Sequence, residues 1–300
     1  MGKIILNMRF LHPERQYLNL IKKILRKAPL ENRRNGKVYN LIGESMRFPL
    51  TKQRLPLITT KRMGWEGCLK ELFWFMRGET NNSVLVKDNV NIWSDNASRK
   101  FLDSQGLYSL EENDLGPIYG HQWRHFNAPY ENCLTDYSGQ GIDQLQNIIN
   151  ALKDEKQRTS RRLILSAWNP LQINEMALPP CHVLAQFHVT NDVDLTCSLY
   201  QRSGDIGLGI PYNIASYSFL THLLAFHCNL RPKEFIHFIG NAHIYDDHVD
   251  ALKKQIKRKP KRFPKVKILQ KYENIDDYSF EDFQVSNYKF HPLIKMKMRP

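Results

Sequence analysis

Apolar residues recur at helical spacing in several parts of the chain. Leu18, Ile21 and Leu25 predict an amphipathic helix near the start. The segment 65–76 is apolar nearly all round, which is typical of a buried helix. The longer apolar run 212–228 predicts a helix at the centre of the core. Two further helices are predicted, one from the stripe Ile142, Leu145, Ile149 and Leu152, and one over 246–258.

Shorter apolar segments predict strands. They lie at 161–168, 182–189, 194–201, 235–240 and 263–269. Because helices and strands mix without regular βαβ alternation, we predict an α+β fold in which residues 1–300 form a single domain. Residues 98–140 are polar and rich in Gly, Asn, Asp and Ser. They indicate an irregular insertion rather than a linker, because Trp123 and Phe126 need burial.

The charge balance is strongly basic. The chain has 43 Lys and Arg against 30 Asp and Glu, a formal net charge of +13, and 42% apolar residues to build a core. The densest basic run, Lys253 to Lys267, holds nine Lys or Arg and no acid. This run indicates either a polyanion-binding surface or only a solvated face. A phosphorylated small substrate is a further explanation for Arg161, Arg162 and Arg202.

Cysteine usage and hydropathy indicate the class of protein. Five cysteines without a CxxC motif or paired spacing argue against a disulfide framework or a zinc site. Residues 1–7 are too short an apolar run for a signal peptide, and no stretch approaches the roughly 18 apolar residues of a membrane span. We therefore expect a soluble protein of a reducing compartment, in the cytoplasm or also the nucleus, with no metal.

Cys181 has the most informative surroundings of the five cysteines. Pro179 and Pro180 restrict the backbone just before it, and Arg202 stands in a polar cluster twenty residues later. A thiol on rigid backbone with a nearby arginine is typical of a thiolate nucleophile. Two alternatives stay open at this point. Cys181 could be a small apolar filler, and Arg202 could form a structural ion pair with Asp205.

Glu71 stands among apolar neighbours on the predicted helix 65–76. Its neighbours at helical spacing are Cys68, Trp74 and Phe75. Removal of a carboxylate from water raises its pKa, which suits a general acid or a proton relay through water. The alternative is a glutamate at the boundary of the core that reaches solvent.

Three segments, 177–182, 199–205 and 209–217, closely resemble thymidylate synthases. Further segments support the resemblance in the same order along the chain: 57–62, 71–75, 114–120, 161–162 and 243–245. Their co-occurrence is far more specific than any one of them. The segment 98–140 is similar to the eukaryotic and eukaryotic-virus branch of the family.

The resemblance implies a fold and a reaction. The fold is a mixed sheet packed with helices, with one sheet face used for homodimerisation. The reaction transfers a methylene group from 5,10-methylenetetrahydrofolate to C5 of dUMP and reduces it by hydride, giving dTMP and dihydrofolate. Cys181 would add at C6 of the uracil and turn C5 into a nucleophilic carbon. Arg161 and Arg162 would complete the phosphate site of the neighbouring subunit.

The resemblance also implies roles for individual residues. The catalytic residues would be Cys181, Glu71, Tyr119, Arg202, Asp205 and Asn213. The dUMP contacts would come from Arg33, Arg161, Arg162, His182, Gln201, Arg202, Ser203, Asp205, Asn213, His243 and Tyr245. The folate side would be formed by Lys61, Ile92, Trp93, Asn96, Asp205, Leu208, Gly209, Tyr212 and Met298.

Two segments depart from the family pattern. Where the family has its phosphate loop, residues 33–37 are Arg-Arg-Asn-Gly-Lys. The phosphate ligand is therefore Arg33 or Arg34, and the count back from Gly43 favours Arg33. The chain ends in Met-Arg-Pro at 298–300 instead of two small apolar residues. A bulkier, charged end could alter closure of this tail over bound ligands.

Two further functional hypotheses remain. A deoxyuridylate hydroxymethylase of the same fold would capture the methylene group with water, and Asn213 and Trp93 argue against it. The basic surface could add weak RNA binding, alone or beside catalysis, although no RNA-binding module is present in the sequence.

Overall fold

The computed structural model describes residues 12–33 and 36–299, and the side chain of Arg33 lies outside this set. The predictions for residues 1–7, and the choice between Arg33 and Arg34 as phosphate ligand, therefore fall outside the described residues. No helix in the described ranges combines the length and hydropathy that crossing a membrane requires.

A mixed six-stranded sheet forms the centre of the fold, in the order β1-β2-β6-β5-β4-β3. Its strands are β1 (Leu30–Arg33), β2 (Gly36–Pro49), β3 (Ile164–Ser166), β4 (His182–Thr190), β5 (Asp194–Asp205) and β6 (Arg231–Tyr245). Only β5 and β6 run parallel, and the other neighbours are antiparallel. A separate antiparallel pair joins β7 (Lys265–Ile268) to β8 (Phe283–Ser286). The predicted single α+β domain with a mixed sheet is confirmed.

The described residues contain eight α-helices, several of which pack against the sheet. They are α1 (Arg15–Lys27), α2 (Trp65–Met76), α3 (Asn82–Lys87), α4 (Arg99–Ser104), α5 (Tyr119–Arg124), α6 (Gln144–Lys153), α7 (Gly209–His227) and α8 (Val249–Gln255). Helix α7 packs against β5 and β6 and against α2, which explains why both helices are apolar nearly all round. The amphipathic helix expected near the start is confirmed as α1, with Leu18 and Ile21 buried.

Several predicted boundaries are wrong where tertiary pairing decides them. Ile142 lies before α6 and is exposed, because its backbone pairs with Phe126 in an isolated bridge. Strand β3 keeps only three residues, since only these pair with β4. The predicted helix 246–258 begins instead with a 3₁₀ turn over Asp246–His248, followed by α8.

Residues 98–140 contain the short helices α4 and α5 joined by turns. Trp123 is buried there as expected, and Phe126 is half-buried. The buried carboxylate of Asp114 organises this segment. It accepts hydrogen bonds from the Tyr130 hydroxyl at 2.6 Å and from the backbone N–H of Cys133 at 2.9 Å. The segment is therefore part of the packed domain rather than a linker.

The sheet face away from α7 exposes aromatic side chains. Tyr200 on β5 and Phe238 on β6 stand opposite each other in the parallel register and are 45% and 43% exposed. Leu184 on β4 pairs with Tyr200 and is half-buried. Large apolar side chains that adjoin on a sheet surface are a common feature of interaction faces.

Candidate active site

The strand ends bring distant parts of the sequence together at one edge of the sheet. Strands β5 and β6 run parallel, so Ser203 pairs with Asn241 and Asp205 with His243. Strand β4 is antiparallel to β5 and begins at this same edge, where His182 pairs with Gln201. The polar residues at these strand ends therefore surround one space.

Cys181 lies directly before β4, and Arg202 holds its loop. The backbone N–H of Arg202 donates to the Cys181 carbonyl at 2.9 Å. The guanidinium donates from Nε to the Pro180 carbonyl at 2.9 Å and from Nη2 to the Pro179 carbonyl at 2.7 Å. Its Cζ lies 5.8 Å from the ring centroid of Trp168. Arg202 is therefore tied to the backbone just before the thiol.

The alternative reading of Arg202 as an ion-pair partner of Asp205 is not what the structure contains. Asp205 accepts a hydrogen bond from the Gly207 N–H at 2.7 Å, and its carboxylate lies 3.7 Å from Nδ1 of His248. Arg202 and Asp205 thus take separate partners on the two sides of β5.

Cys181 is only partly buried as a residue, unlike Cys68, Cys197 and Cys228, which argues against a core filler. Burial raises its pKa, and the nearby charge of Arg202 offsets only part of this effect. Arg202 thus lowers the thiol pKa, as its position in the sequence suggested, but the net shift in this conformation is upward. The reason is that desolvation of the sulfur outweighs one guanidinium whose N–H groups are directed at backbone carbonyls.

Glu71 on α2 faces the space beside the thiol. Its Oε1 accepts a hydrogen bond from the indole N–H of Trp93 at 2.8 Å. Burial raises the pKa of this carboxyl to about 7, and the Trp93 bond partly counteracts the shift. The predicted upward shift is confirmed. A carboxyl with this pKa exchanges a proton readily near neutral pH.

Tyr119, at the start of α5, contacts the nucleophile segment directly. Its phenolic oxygen accepts hydrogen bonds from the backbone N–H of Cys181 at 2.7 Å and of His182 at 3.3 Å. Burial raises the pKa of the phenol, so the hydroxyl stays protonated at neutral pH. The phenol therefore keeps its own proton while its oxygen accepts from the backbone that carries the thiol.

Gln201 orients the amide of Asn213 through a fixed chain of hydrogen bonds. The Gln201 side-chain NH₂ donates to the Ser203 carbonyl at 2.9 Å and to Oδ1 of Asn213 at 3.0 Å. Its oxygen lies 2.8 Å from Nε2 of His237, whose pKa burial lowers to about 3. The Ser203 carbonyl can only accept, so the group that Gln201 presents to it must be its NH₂. Asn213 then accepts from Gln201 through its oxygen, and its own NH₂ is left to donate.

The remaining nucleotide-side residues lie on β5 and β6. The Ser203 hydroxyl is 3.5 Å from Nδ1 of His243, and the His243 ring centroid is 5.3 Å from that of Tyr245. Burial lowers the pKa of His243, so the ring is neutral at pH 7 and offers both a donor and an acceptor.

Two cavities adjoin Glu71 on the side away from β6. A cavity of about 590 Å³ has an apolar wall with polar groups at one end, and its lining includes Ile92, Asp205, Leu208, Gly209, Tyr212, Asn213, Met296, Met298 and Arg299. A second cavity of about 220 Å³ is lined by Glu71, Ile92, Trp93, Asp95, Asn96, Leu178, Met298 and Arg299. The buried amide nitrogen of Asn96 has no hydrogen-bond partner, which suits a polar ligand group.

Three predicted residues stand apart from this space. Lys61 is only 3% exposed, and its ammonium donates to the Gly207 carbonyl beside Asp205. Burial lowers its pKa to about 8. The ammonium of Lys61 is therefore inside the protein in this conformation, and its expected place on the folate side stays a prediction. Arg161 and Arg162 are exposed before β3 and line neither cavity.

Sequence reasoning missed the roles of some residues. The sequence assigned no role to His237 or His248, and no group of three or more His, Cys, Asp or Glu is arranged to hold a metal within residues 12–33 and 36–299. His237 bonds Gln201, and Nε2 of His248 donates to the Lys297 carbonyl at 2.7 Å. His237 and Phe235 are two residues apart along β6 and therefore share a face of the sheet, which was the available signal for an inward-facing histidine.

Comparisons with known proteins agree over nearly the whole chain. The family model for thymidylate synthase matches residues 15–300. A thymidylate synthase of Homo sapiens is 51% identical over 288 residues, which cover 96% of this chain and 91% of that protein. Bifunctional dihydrofolate reductase-thymidylate synthases of Paramecium tetraurelia and Zea mays are each 50% identical, and the chain spans 61% and 54% of their lengths. The chain belongs to the thymidylate synthase family.

Proposed function

We propose that this chain catalyses the reductive methylation of dUMP to dTMP with 5,10-methylenetetrahydrofolate, releasing dihydrofolate. Family membership supports the reaction class, that of a methyltransferase. The observation that carries the proposal is the setting of Cys181, a partly buried residue whose backbone N–H donates to the phenol of Tyr119 and whose preceding prolines are bound by the Arg202 guanidinium.

Cys181 begins the reaction as nucleophile. Its sulfur, once deprotonated, bonds to C6 of the uracil, and the C5–C6 π electrons move through the C4 carbonyl to place negative charge on O4. The NH₂ of Asn213, oriented by Gln201, is available to donate to that oxygen. An amide donor suits the carbonyl of uracil rather than the amino group of cytosine. C5 thereby gains the electron density that it needs to attack a one-carbon electrophile.

Glu71 and Tyr119 manage protons in the later steps. Glu71, with a pKa of about 7, would exchange a proton with O4 through water, and Tyr119, whose phenol contacts the Cys181 segment, would assist loss of the C5 proton. C5 bonds to the methylene carbon of the co-substrate and loses its proton, and the bond from this carbon to the folate nitrogen breaks. The released tetrahydrofolate then gives a hydride to the methylene carbon and becomes dihydrofolate. When the C6–S bond breaks, the thiol is restored and dTMP leaves. The fit of this co-substrate is supported by the apolar cavity of about 590 Å³ beside Glu71.

A homodimer is the second part of the proposal. Its support is the exposed pair Tyr200 and Phe238 on the sheet face that no described helix covers, together with the exposed Arg161 and Arg162. These arginines would bind the phosphate of dUMP in the neighbouring subunit. We further propose work in the cytoplasm or nucleus, where reducing conditions suit the unpaired thiols of the chain.

Weak RNA binding is a separate proposal that rests on the basic run 253–267. Eight of its nine basic side chains are exposed, and within the described residues none of the nine forms an ion pair. Unneutralised cations on one segment attract nucleic-acid phosphates without sequence preference.

Replacing the nucleophile tests the reaction itself. Cys181→Ser should lower kcat by at least about a thousandfold, because a hydroxyl has no accessible anion here. Binding of dUMP, measured by calorimetry, should change little. Cys133→Ser, also a partly exposed cysteine, is the control and should keep full activity. Turnover is measured as dihydrofolate release, and release of tetrahydrofolate by the wild type would instead indicate hydroxymethylation. Full activity of Cys181→Ser would refute the assignment.

The pH profile tests Glu71. Below its pKa of about 7 the carboxyl is neutral, and above it the carboxylate can accept a proton. Glu71→Gln keeps the neutral form at every pH. It should lower kcat by roughly 10²- to 10⁴-fold and remove the ionisation near pH 7 from the rate profile. Glu66→Gln, an exposed glutamate on the same helix, should leave the profile unchanged. A profile of Glu71→Gln that keeps this ionisation assigns it to another group.

Hybrid dimers test the shared phosphate site. A subunit with Arg161→Ala and Arg162→Ala is mixed and refolded with a Cys181→Ser subunit. One site of each hybrid then combines an intact thiol with intact arginines from the other subunit, so random pairing should restore about a quarter of wild-type activity. The unmixed parents serve as controls. If mixing restores nothing while gel filtration detects hybrids, the arginines do not act across the interface.

Salt dependence tests the RNA proposal. A variant with Lys253, Lys257 and Lys259 changed to Gln should reduce the slope of log affinity against log salt by about 2, since each phosphate contact contributes roughly 0.7 for a single strand. A matched variant changes exposed lysines elsewhere: Lys87, Lys100 and Lys156. Equal slopes for the two variants would exclude the run as the RNA surface.

A further inference from the structure

The end of the chain forms part of the wall of the folate-side space. Met298 and Arg299 line both cavities beside Glu71, and Met296 lines the larger one. Residues 287–299 contain no helix or strand, so side-chain and backbone contacts alone decide where they lie.

Few contacts hold the last part of this segment. The backbone N–H of His291 donates to the Thr59 carbonyl, and Arg258 donates to the Pro292 carbonyl, so the segment is anchored as far as Pro292. Beyond that point the tail is bound by His248, which donates to the Lys297 carbonyl, and by the ion pair of Arg299 with Asp247. These two contacts lie on either side of Met298 along the chain, and Met296 packs against the core.

Arg299 is held on three sides. Its Nη2 lies 2.8 Å from Oδ2 of Asp247 and 3.8 Å from Oδ1 of Asp246, and its Cζ lies 5.6 Å from the ring centroid of Tyr245. A Cβ built at Gly36 would meet Nη1 of Arg299 at 3.5 Å, so the guanidinium also lies against β2. The side chain of Arg299 is 27% exposed and that of Asp247 is 35% exposed, so the pair is only partly shielded from solvent.

The partners of Arg299 belong to the turn that follows β6. The same turn provides His248, whose Nε2 donates to the Lys297 carbonyl and whose Nδ1 lies 3.7 Å from the carboxylate of Asp205. The tail is thus tied to the strand that carries the nucleotide-side residue His243. An arginine at the end of the chain and acids in this turn complement each other in charge.

We propose that Arg299, paired with Asp247 over the ring of Tyr245, is a clasp that holds the tail closed over the folate side of the site. Arg299 and Asp247 are then positioning residues, which act on the co-substrate through the placement of Met298. The inference rests on the proposed function for its kinetic effect, but the clasp itself is a property of the free chain. A closed tail also shields the reacting groups from water.

The first test measures the clasp without any ligand. Amide hydrogen exchange of residues 293–299 is compared in the wild type, Arg299→Ala and Asp247→Ala. Both variants should lose most of the tail protection, because each removes one half of the same contact. The controls Arg262→Ala and Asp250→Ala remove an exposed arginine and an exposed acid nearby, and they should exchange like the wild type. Unchanged tail protection in Arg299→Ala overturns the clasp.

The second test separates positioning from a merely structural role. Arg299→Ala and Asp247→Ala should each raise the KM for methylenetetrahydrofolate by about tenfold, as loss of one charge-assisted hydrogen bond predicts. The KM for dUMP should change less than about twofold, and the double variant should be no worse than either single one. Arg299→Lys should recover part of the loss. Additive losses in the double variant would overturn the pairing.

The two tests also distinguish this inference from the proposed function. If the wild type converts no dUMP, the proposed function fails, and the exchange experiment still decides whether the clasp exists. If the wild type is active and Arg299→Ala matches it in both experiments, the clasp fails while the function stands. Circular dichroism of each variant excludes global unfolding as the cause of lost protection.

Discussion

The parallel pairing of β5 with β6 is the constraint on which the site depends. All other neighbours in this sheet are antiparallel, so this one pair makes two adjacent strands end at the same edge. Strand β4 runs the opposite way and begins there. Cys181, which precedes β4, therefore meets Arg202 near the end of β5 and His243 near the end of β6. No contact within a single segment could assemble this group.

Burial is the second physical factor, and it disfavours the charged form of acids and bases alike. It raises the pKa of Cys181 and Glu71 and lowers that of Lys61, because each charged form loses water. At Cys181 one guanidinium offsets only part of this cost. The pKa values of Glu71 and Lys61 are shifted close to neutral pH, to about 7 and about 8. Groups whose pKa lies near the working pH can both release and accept a proton.

The accuracy of the sequence predictions followed the range of the interactions involved. The helix 65–76 was predicted to the residue, since helical periodicity is a local property. Strands β1 and β2 were not predicted at all. Strand β2 lacks clean alternation, and its pairing with β6, more than 180 residues away, is what defines it. The upward shift at Glu71 was predictable because its apolar neighbours lie on its own helix.

The sequence by itself determined the family, the α+β class and the identity of the chemical groups, because ordered motifs and local periodicity are written in the chain. Only the tertiary structure decided which partner each polar group takes. Arg202 binds the carbonyls of Pro179 and Pro180 rather than Asp205, Lys61 turns inward, and Arg299 closes on Asp247. Such choices depend on strand register and burial, which arise from contacts between segments that are far apart along the chain.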